Sequence, residues 1–564
     1  MTDHNNSKVP IFMDRFSLFP KHLRRMTKFF SLFCLCLFLV ISCSPRPQTT
    51  STSVGSPSND GRVTVGTTLK PRTLDPADAY ELQSLVLVYN MSDRLYTYPS
   101  GSTEIQPQLA TALPKVSQDG LTYTIPLRQG VVFHDGTPFN AKAMEFSIQR
   151  FMQNGGKPSF LLKDVVDSVK ATGDSELTIK LKKQFAAFPA LLAFPGVCAV
   201  SPKAYELGAG KFQPNNFIGT GPYKLAKYGT DSVRFDVFDK YWGDKPANQG
   251  INWQIFSSPA NLFNAFKTKA VDVAYVSLEP IQIKTLQESA KQGNWQPITA
   301  EGSAVKFMAL NRNQKPLDNP AVRGAIAALI DRSVINQRVL YNQAEALYSM
   351  VPTTFDVYQP VFKDKYGDGN VDKAKQLLSS AGFSNSNPAR VQIWHSSTSP
   401  TSAAAAQTIK ALADQKMDGM LQFEISPVES ATFFKDISKG LYPASIFDWY
   451  PDFLDPDNYI QPFLECQKGS VAKGCEDGAS KTQGSFYYNE NINKLIAQER
   501  REQNPEIRKK IFTDIQAQVA TDVPYVPLWQ SKDYVFAQNG VNGVQLDPSQ
   551  FLIYKTISAT PTGK

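Results

Sequence analysis

Asp448, Asp452, Asp455 and Asp457 place four carboxylates within ten residues, interleaved with the rings of Trp449, Tyr450 and Phe453. Carboxylates hold a cation and aromatic faces cover an apolar or peptide-like body, so a cleft walled this way suits a ligand carrying an amine. Ile446 and Phe447 supply strand propensity and Pro451 stops ladder pairing, which leaves backbone hydrogen-bonding groups around Tyr450 and Asp452 free for a partner. On local composition alone the stretch reads more readily as a solvated Asp/Pro loop beside an aromatic core patch. The rest of the chain has to decide.

The chain has 564 residues, too many for one core, and two or three lobes are expected. Its 42% hydrophobic and 20% charged content is that of a globular protein. Half of the net charge of +8 belongs to residues 1–42, where Lys8, Arg15, Lys21, Arg24, Arg25 and Lys28 face only Asp3 and Asp14. The remainder is too weakly basic for a nucleic-acid surface, and no nucleic-acid partner is expected.

Basic residues through Lys28 precede the apolar run Phe29 to Ile41, the layout of a cleaved export signal over residues 1–42. Val40-Ile41-Ser42-Cys43 resembles the bacterial lipobox, which implies a mature chain that begins at Cys43 and is lipid-anchored to the periplasmic face of a membrane. Met26 is an alternative start. Residues 43–61 are mostly Ser, Thr, Pro, Gly, Asn and Gln with little to bury, and read as a flexible tether. In an exported chain Cys466 and Cys475, flanking a polar loop, are expected to form a disulfide. Their spacing fits no metal motif and no metal is expected. Cys198 reads as a small buried apolar residue.

Order is expected from Arg62. Val63 to Thr67 alternates as a strand, Leu74-Asp75-Pro76 turns the chain, and Ser84 to Leu95 reads as an amphipathic helix, the opening of an α/β lobe. An Asp119-Gly120 turn feeds the strand around Thr122 to Arg128, and the turn at His134-Asp135-Gly136 opens a helix over Ala141 to Met152. These segments, with Phe146 to Arg150, Ile218-Gly219-Thr220-Gly221-Pro222-Tyr223, Tyr241-Trp242, Asp318 to Arg323, Ala327 to Arg332, Val371 to Phe383 and Asp522 to Trp529, resemble the family 5 extracellular solute-binding proteins. These are the dipeptide, oligopeptide and nickel binding components of ABC importers. Asp372 could cap the helix after Val371 and Gly382 end it, and the glycines of 219–221 fit a tight turn near the hinge.

The resemblance implies an α/β, two-lobed periplasmic-binding-protein type II fold, with hinge strands between the lobes and an extra subdomain inserted in lobe I. Lobe I would be 62–101, 217–300 and 527–564, the insert 102–216, and lobe II 301–526. Ligand would lie between the lobes. Matched to the relatives' Asp-x-x-Asp-Pro pattern, Asp452 would take a peptide's α-ammonium beside Asp448. The backbone of Phe447 to Tyr450 would pair with an extended peptide, and Trp449 and Tyr450 would wall its first side-chain pocket. Tyr80 and Leu82 would meet its other edge. The partner of a ligand carboxylate is not assigned: Arg312, Arg332 and Arg338 are candidates, but a surface ion pair suits each better. Permease and ATPase subunits would be the partners of a monomeric protein without cofactor. A nickel chelate, sugar or opine ligand is the alternative, as is a tethered sensor that does not transport.

No nucleophile elbow, metal-ligating helix or phosphate loop occurs. Beyond residue 42 only His134 and His395 remain, and His134 falls in a turn, so a binding protein rather than an enzyme is expected.

Overall fold

Two long strands, each shared by both halves of one large sheet, organise the protein. The computed structural model describes residues 61–559. The expected leader over 1–42, Cys43 and all but the last residue of the expected tether lie outside these.

In chain order, β1 (Val63–Thr67) leads to α1 (Leu82–Met91). Next come β2 (Thr122–Pro126), α2 (Ala141–Gln153), β3 (Val166–Gly173) and β4 (Glu176–Leu181). Then follow β5 (Tyr223–Tyr228), β6 (Ser232–Val237), β7 (Gly250–Ile255), β8 (Val273–Tyr275) and β9 (Trp295–Leu310). The second half contains α3 (Pro320–Leu329), α4 (Val371–Ser380), β10 (Ala389–Ser396), α5 (Pro400–Lys416), β11 (Leu421–Val428) and β12 (Ala444–Trp449). Helices α6 (Glu490–Glu499) and α7 (Pro505–Asp522) precede β13 (Tyr525–Gln538).

The large sheet runs β11-β10-β12-β9-β13-β8-β1-β7-β6-β5. Strand β1 is parallel to β7 and β8, and β10 is parallel to β11 and β12, the arrangement of two α/β halves. Strands β9 and β13 pair antiparallel from Trp295↔Gln538 to Ala309↔Tyr525, with a bulge between Glu301 and Val305. On one side of the bulge β13 meets β8, and on the other β9 meets β12. The ladder is interrupted at this bulge, and a bulge bends the strand that carries it. A separate four-stranded sheet joins Lys115–Val116, β2, β4 and β3, with α2 packed on it through a face that buries Met144, Ile148 and Phe151.

Three local expectations are corrected. The helix expected over Ser84 to Leu95 spans Leu82–Met91 and is buried on almost every side. It ends at Met91 because the buried Asp93 carboxylate collects Thr220, Tyr241 and Trp242 donors, which fixes the chain beyond. Asp372 does not cap α4; Asn370 does, accepting the Lys373 amide at 3.1 Å, because a cap must stand outside the first helical residue. Gly219 and Gly221 need no left-handed backbone. They serve close approach, since a Cβ on Gly221 would stand 2.4 Å from the Met91 carbonyl carbon.

The aspartate of Leu74-Asp75-Pro76 is fully buried and takes a two-pronged pair from Arg150 at 2.8 and 2.6 Å. Cys466 and Cys475 are disulfide-bonded, and Cys198 is buried, which pushes its thiol up to about 12.

Candidate functional site

Strand β12 is buried from Ala444 through Phe447 and ends at Trp449. One edge pairs with β9 along its whole length, Leu310↔Ala444 to Val305↔Trp449. The other pairs with β10 only as far as Ile446. Phe447, Asp448 and Trp449 therefore present an unpaired strand edge, the arrangement that accepts an added strand.

A cavity of about 870 Å³ lies against this edge. Tyr80, Leu82, Phe447, Asp448, Trp449, Tyr450 and Asp452 all line it, so these seven expected ligand residues meet one space. A second cavity of about 600 Å³ shares Leu278, Glu279, Phe434, Phe447, Asp448 and Tyr450 with it. Tyr450 and Phe434 are each 58% exposed and stand where the two spaces meet.

The charges sort themselves. No Lys, Arg or His lines the larger cavity, whereas Glu81, Glu279, Asp448 and Asp452 do. Asp448 is paired with Lys306 at 2.5 Å, and the buried Lys306 ammonium also donates to Ser402 at 2.9 Å. Glu81 is paired with Arg72 at 3.3 Å. Glu279 caps the helix Pro280–Ala290. Asp452 alone of the four has neither a cation nor a helix terminus. Burial pushes its carboxyl up from 3.8 to about 6, against hydrogen bonding from Tyr80 and Asn458 that favours the charged form. Tyr80 comes from the segment before α1 and Asp452 from the loop after β12, so the pair spans the cavity.

Several sequence expectations differ. The Asp452 amide is not free, because it donates to the Asn458 side chain at 2.9 Å. Asp455 and Asp457 do not face the cavity: Asp455 pairs with Arg508 and Asp457 is buried near Arg500. Phe453 is buried against Phe185, at 5.9 Å between centroids. None of Arg312, Arg332 and Arg338 lines either cavity. Arg332 is buried rather than at the surface, held by Asp368 and by the Leu347 and Pro527 carbonyls. His134 sits between Gly219 and Gly221, and burial pushes it down to about 4, which keeps it neutral. Among the described residues no group of three His, Cys, Asp or Glu could hold a metal ion.

Sequence reasoning missed Lys306, although a lone lysine inside Ala304-Val305-Lys306-Phe307-Met308 is itself a signal. It also missed Val276 and Ser277, which line the cavity with left-handed backbone at φ +47 and +77. The Ser277 hydroxyl is buried with no partner.

Residues 104–470, more than half of the chain, match the family described as bacterial extracellular solute-binding proteins, family 5. The chain belongs to that family. This solute-binding protein is 28% identical over 539 residues to heme-binding protein A of Haemophilus influenzae, covering 90% of this chain and 94% of that one. It is 25% identical over 466 residues to the glutathione-binding protein GsiB of Salmonella typhi, covering 81% and 86%. Its fold resembles that of HbpA2 from Haemophilus parasuis, with a TM-score of 0.76 at 22% identity over 88% of this chain and all of that one. It is the substrate-binding component of an ABC importer, a class that works with permease and ATPase subunits. The two-lobed fold agrees with this family, and among the described residues no helix is long and apolar enough to cross a membrane.

Proposed function

We propose that this solute-binding protein captures a short peptide with a free amino terminus between its lobes and delivers it to a membrane permease, without catalysing a reaction. The observation that carries this reading is the unpaired edge of Phe447 to Trp449 beside a cavity whose one unpaired acid is Asp452. An extended peptide would add a strand to that edge, and its α-ammonium would pair with Asp452 in place of water. Trp449 and Tyr450 would flank the first side chain, with Tyr80 and Leu82 on the opposite edge. The relatives' names point to heme for one and glutathione for another. Heme carries two carboxylates, which a cavity lined by acids and no basic residue disfavours. Glutathione is a peptide with a free α-ammonium and fits the same logic.

In this reading lobe I is 62–101, 217–300 and 527–564, its insert 102–216 and lobe II 301–526, with crossings in β9 and β13. Cys43 carries the lipid that holds a monomer to the periplasmic membrane face. Calorimetry with tri-alanine, N-acetyl-tri-alanine, glutathione and hemin tests the ligand class. Tri-alanine or glutathione should bind and the acetylated peptide should not. Binding of hemin with no binding of either peptide would overturn the reading.

A further inference from the structure

The loop that presents Asp452 is held from behind by a cluster of charges outside both cavities. We propose that Arg508 is a positioning residue for the ligand site, fixing the 452–458 turn so that Asp452 faces the cavity; this rests on Asp452 being the ammonium partner. Arg508 Nη1 and Nη2 donate to the two oxygens of Asp455, each at 2.7 Å. Asp455 Oδ1 also accepts the Asp457 amide at 2.8 Å, which starts the turn Pro456–Tyr459. Asn458 lies in that turn, and its side chain takes the Asp452 amide at 2.9 Å. The contacts therefore run without a gap from α7 to the acid in the cavity.

Stapling α6 to α7 does not need Asp455. Arg508 already donates to the Glu499 carboxylate at 2.9 Å and to the Glu499 carbonyl at 3.1 Å. The fork on Asp455 is an additional contact, and the other hydrogen bond accepted by the Asp455 carboxylate among the described residues comes from the Asp457 amide in the turn. Arg508 and Asp455 are 15% and 13% exposed, so water competes weakly for the pair. A lysine cannot reproduce the geometry, since it offers a point charge where the guanidinium offers two parallel donors.

The experiment compares ligand-free wild-type protein with Arg508→Lys, which keeps the charge and a contact to Glu499. Hydrogen exchange in 450–459 should accelerate about tenfold or more, with 389–428 unchanged. The Asp452 carboxyl, followed by carbon NMR with labelled aspartate, should titrate nearer its ordinary value as the loop becomes hydrated. Asp455→Asn, which retains a capping side chain but not the carboxylate, should do the same and covers the case in which Arg508→Lys fails to fold. Wild-type exchange in 450–459 and wild-type Asp452 titration in the variants would overturn the proposal, as would acceleration spread equally to 389–428. Both readouts need no ligand. If they respond while tri-alanine and glutathione fail to bind the wild type, the peptide reading falls and the positioning role stands.

Discussion

Asp452→Asn tests the site through its proton. In the ligand-free protein the carboxyl stands at about 6 instead of 3.8, chiefly because burial penalises the charge. The folded value is the higher one, so the folded state binds the proton more tightly and stability falls as pH rises between those two values. At about 1.4 kcal/mol per pH unit, the loss levels off above pH 6 at about 3 kcal/mol at most. The amide carries no charge and escapes this loss. Asp452→Asn should therefore resist urea better than wild type at pH 7, by up to about 3 kcal/mol, and equal it below about pH 4. An arriving ammonium meets the same charge and competes with the same proton. Wild-type affinity for tri-alanine in calorimetry should be level just above pH 7 and fall about tenfold per pH unit below about 6, with about nine-tenths of a proton released per peptide at pH 5. The variant should bind at least about 100-fold more weakly at pH 7, because the buried ammonium is left unpaired. Equal affinity at pH 5 and 7 without proton release, or wild-type affinity in the variant, would refute the reasoning.

Two further outcomes concern the frame of the site. Asp75→Ala leaves Arg150 charged and buried without its partner, and should cost about 3–5 kcal/mol in urea denaturation, with a smaller loss for Asp75→Asn. Gly221→Ala drives a methyl group into the backbone at Met91 and should cost about 1–3 kcal/mol, read by thermal melting.

The fold was legible where local chemistry sets it. The Asp119-Gly120 turn, the alternation in Val63 to Thr67 and the apolar pattern of Ala141 to Met152 each act within a few residues, and each produces the expected element. Element ends were less legible, because distant groups decide them: α1 stops where Asp93 meets Thr220, Tyr241 and Trp242. The cavity was legible as a composition and not as a direction. Four aspartates in ten residues look alike in sequence, but Arg508 turns one inward, Arg500 and Glu499 surround another, and Lys306 neutralises a third. The opposite wall, with Val276 and Ser277, has no local pattern, since backbone strain there is imposed by packing.

The two ends of the ligand segment are consequently anchored to different parts of the protein. Asp448 is in register with Lys306, four residues past Gly302 in the bulge where β9 bends. Ladder pairing thus ties Phe447, Asp448 and Trp449 to the segment of β9 that follows the bulge. Asp452 lies beyond the last paired residue and is tied to α7 through Asn458 and Asp455. Both the strand edge and the acid thus fall on the lobe II side of the bulge, the edge within the sheet and the acid on the loop beyond it. A peptide that paired with both and also met Tyr80 and Leu82 across the cavity would touch both lobes together only when they are closed, and that differential contact would favour the closed arrangement over the open one.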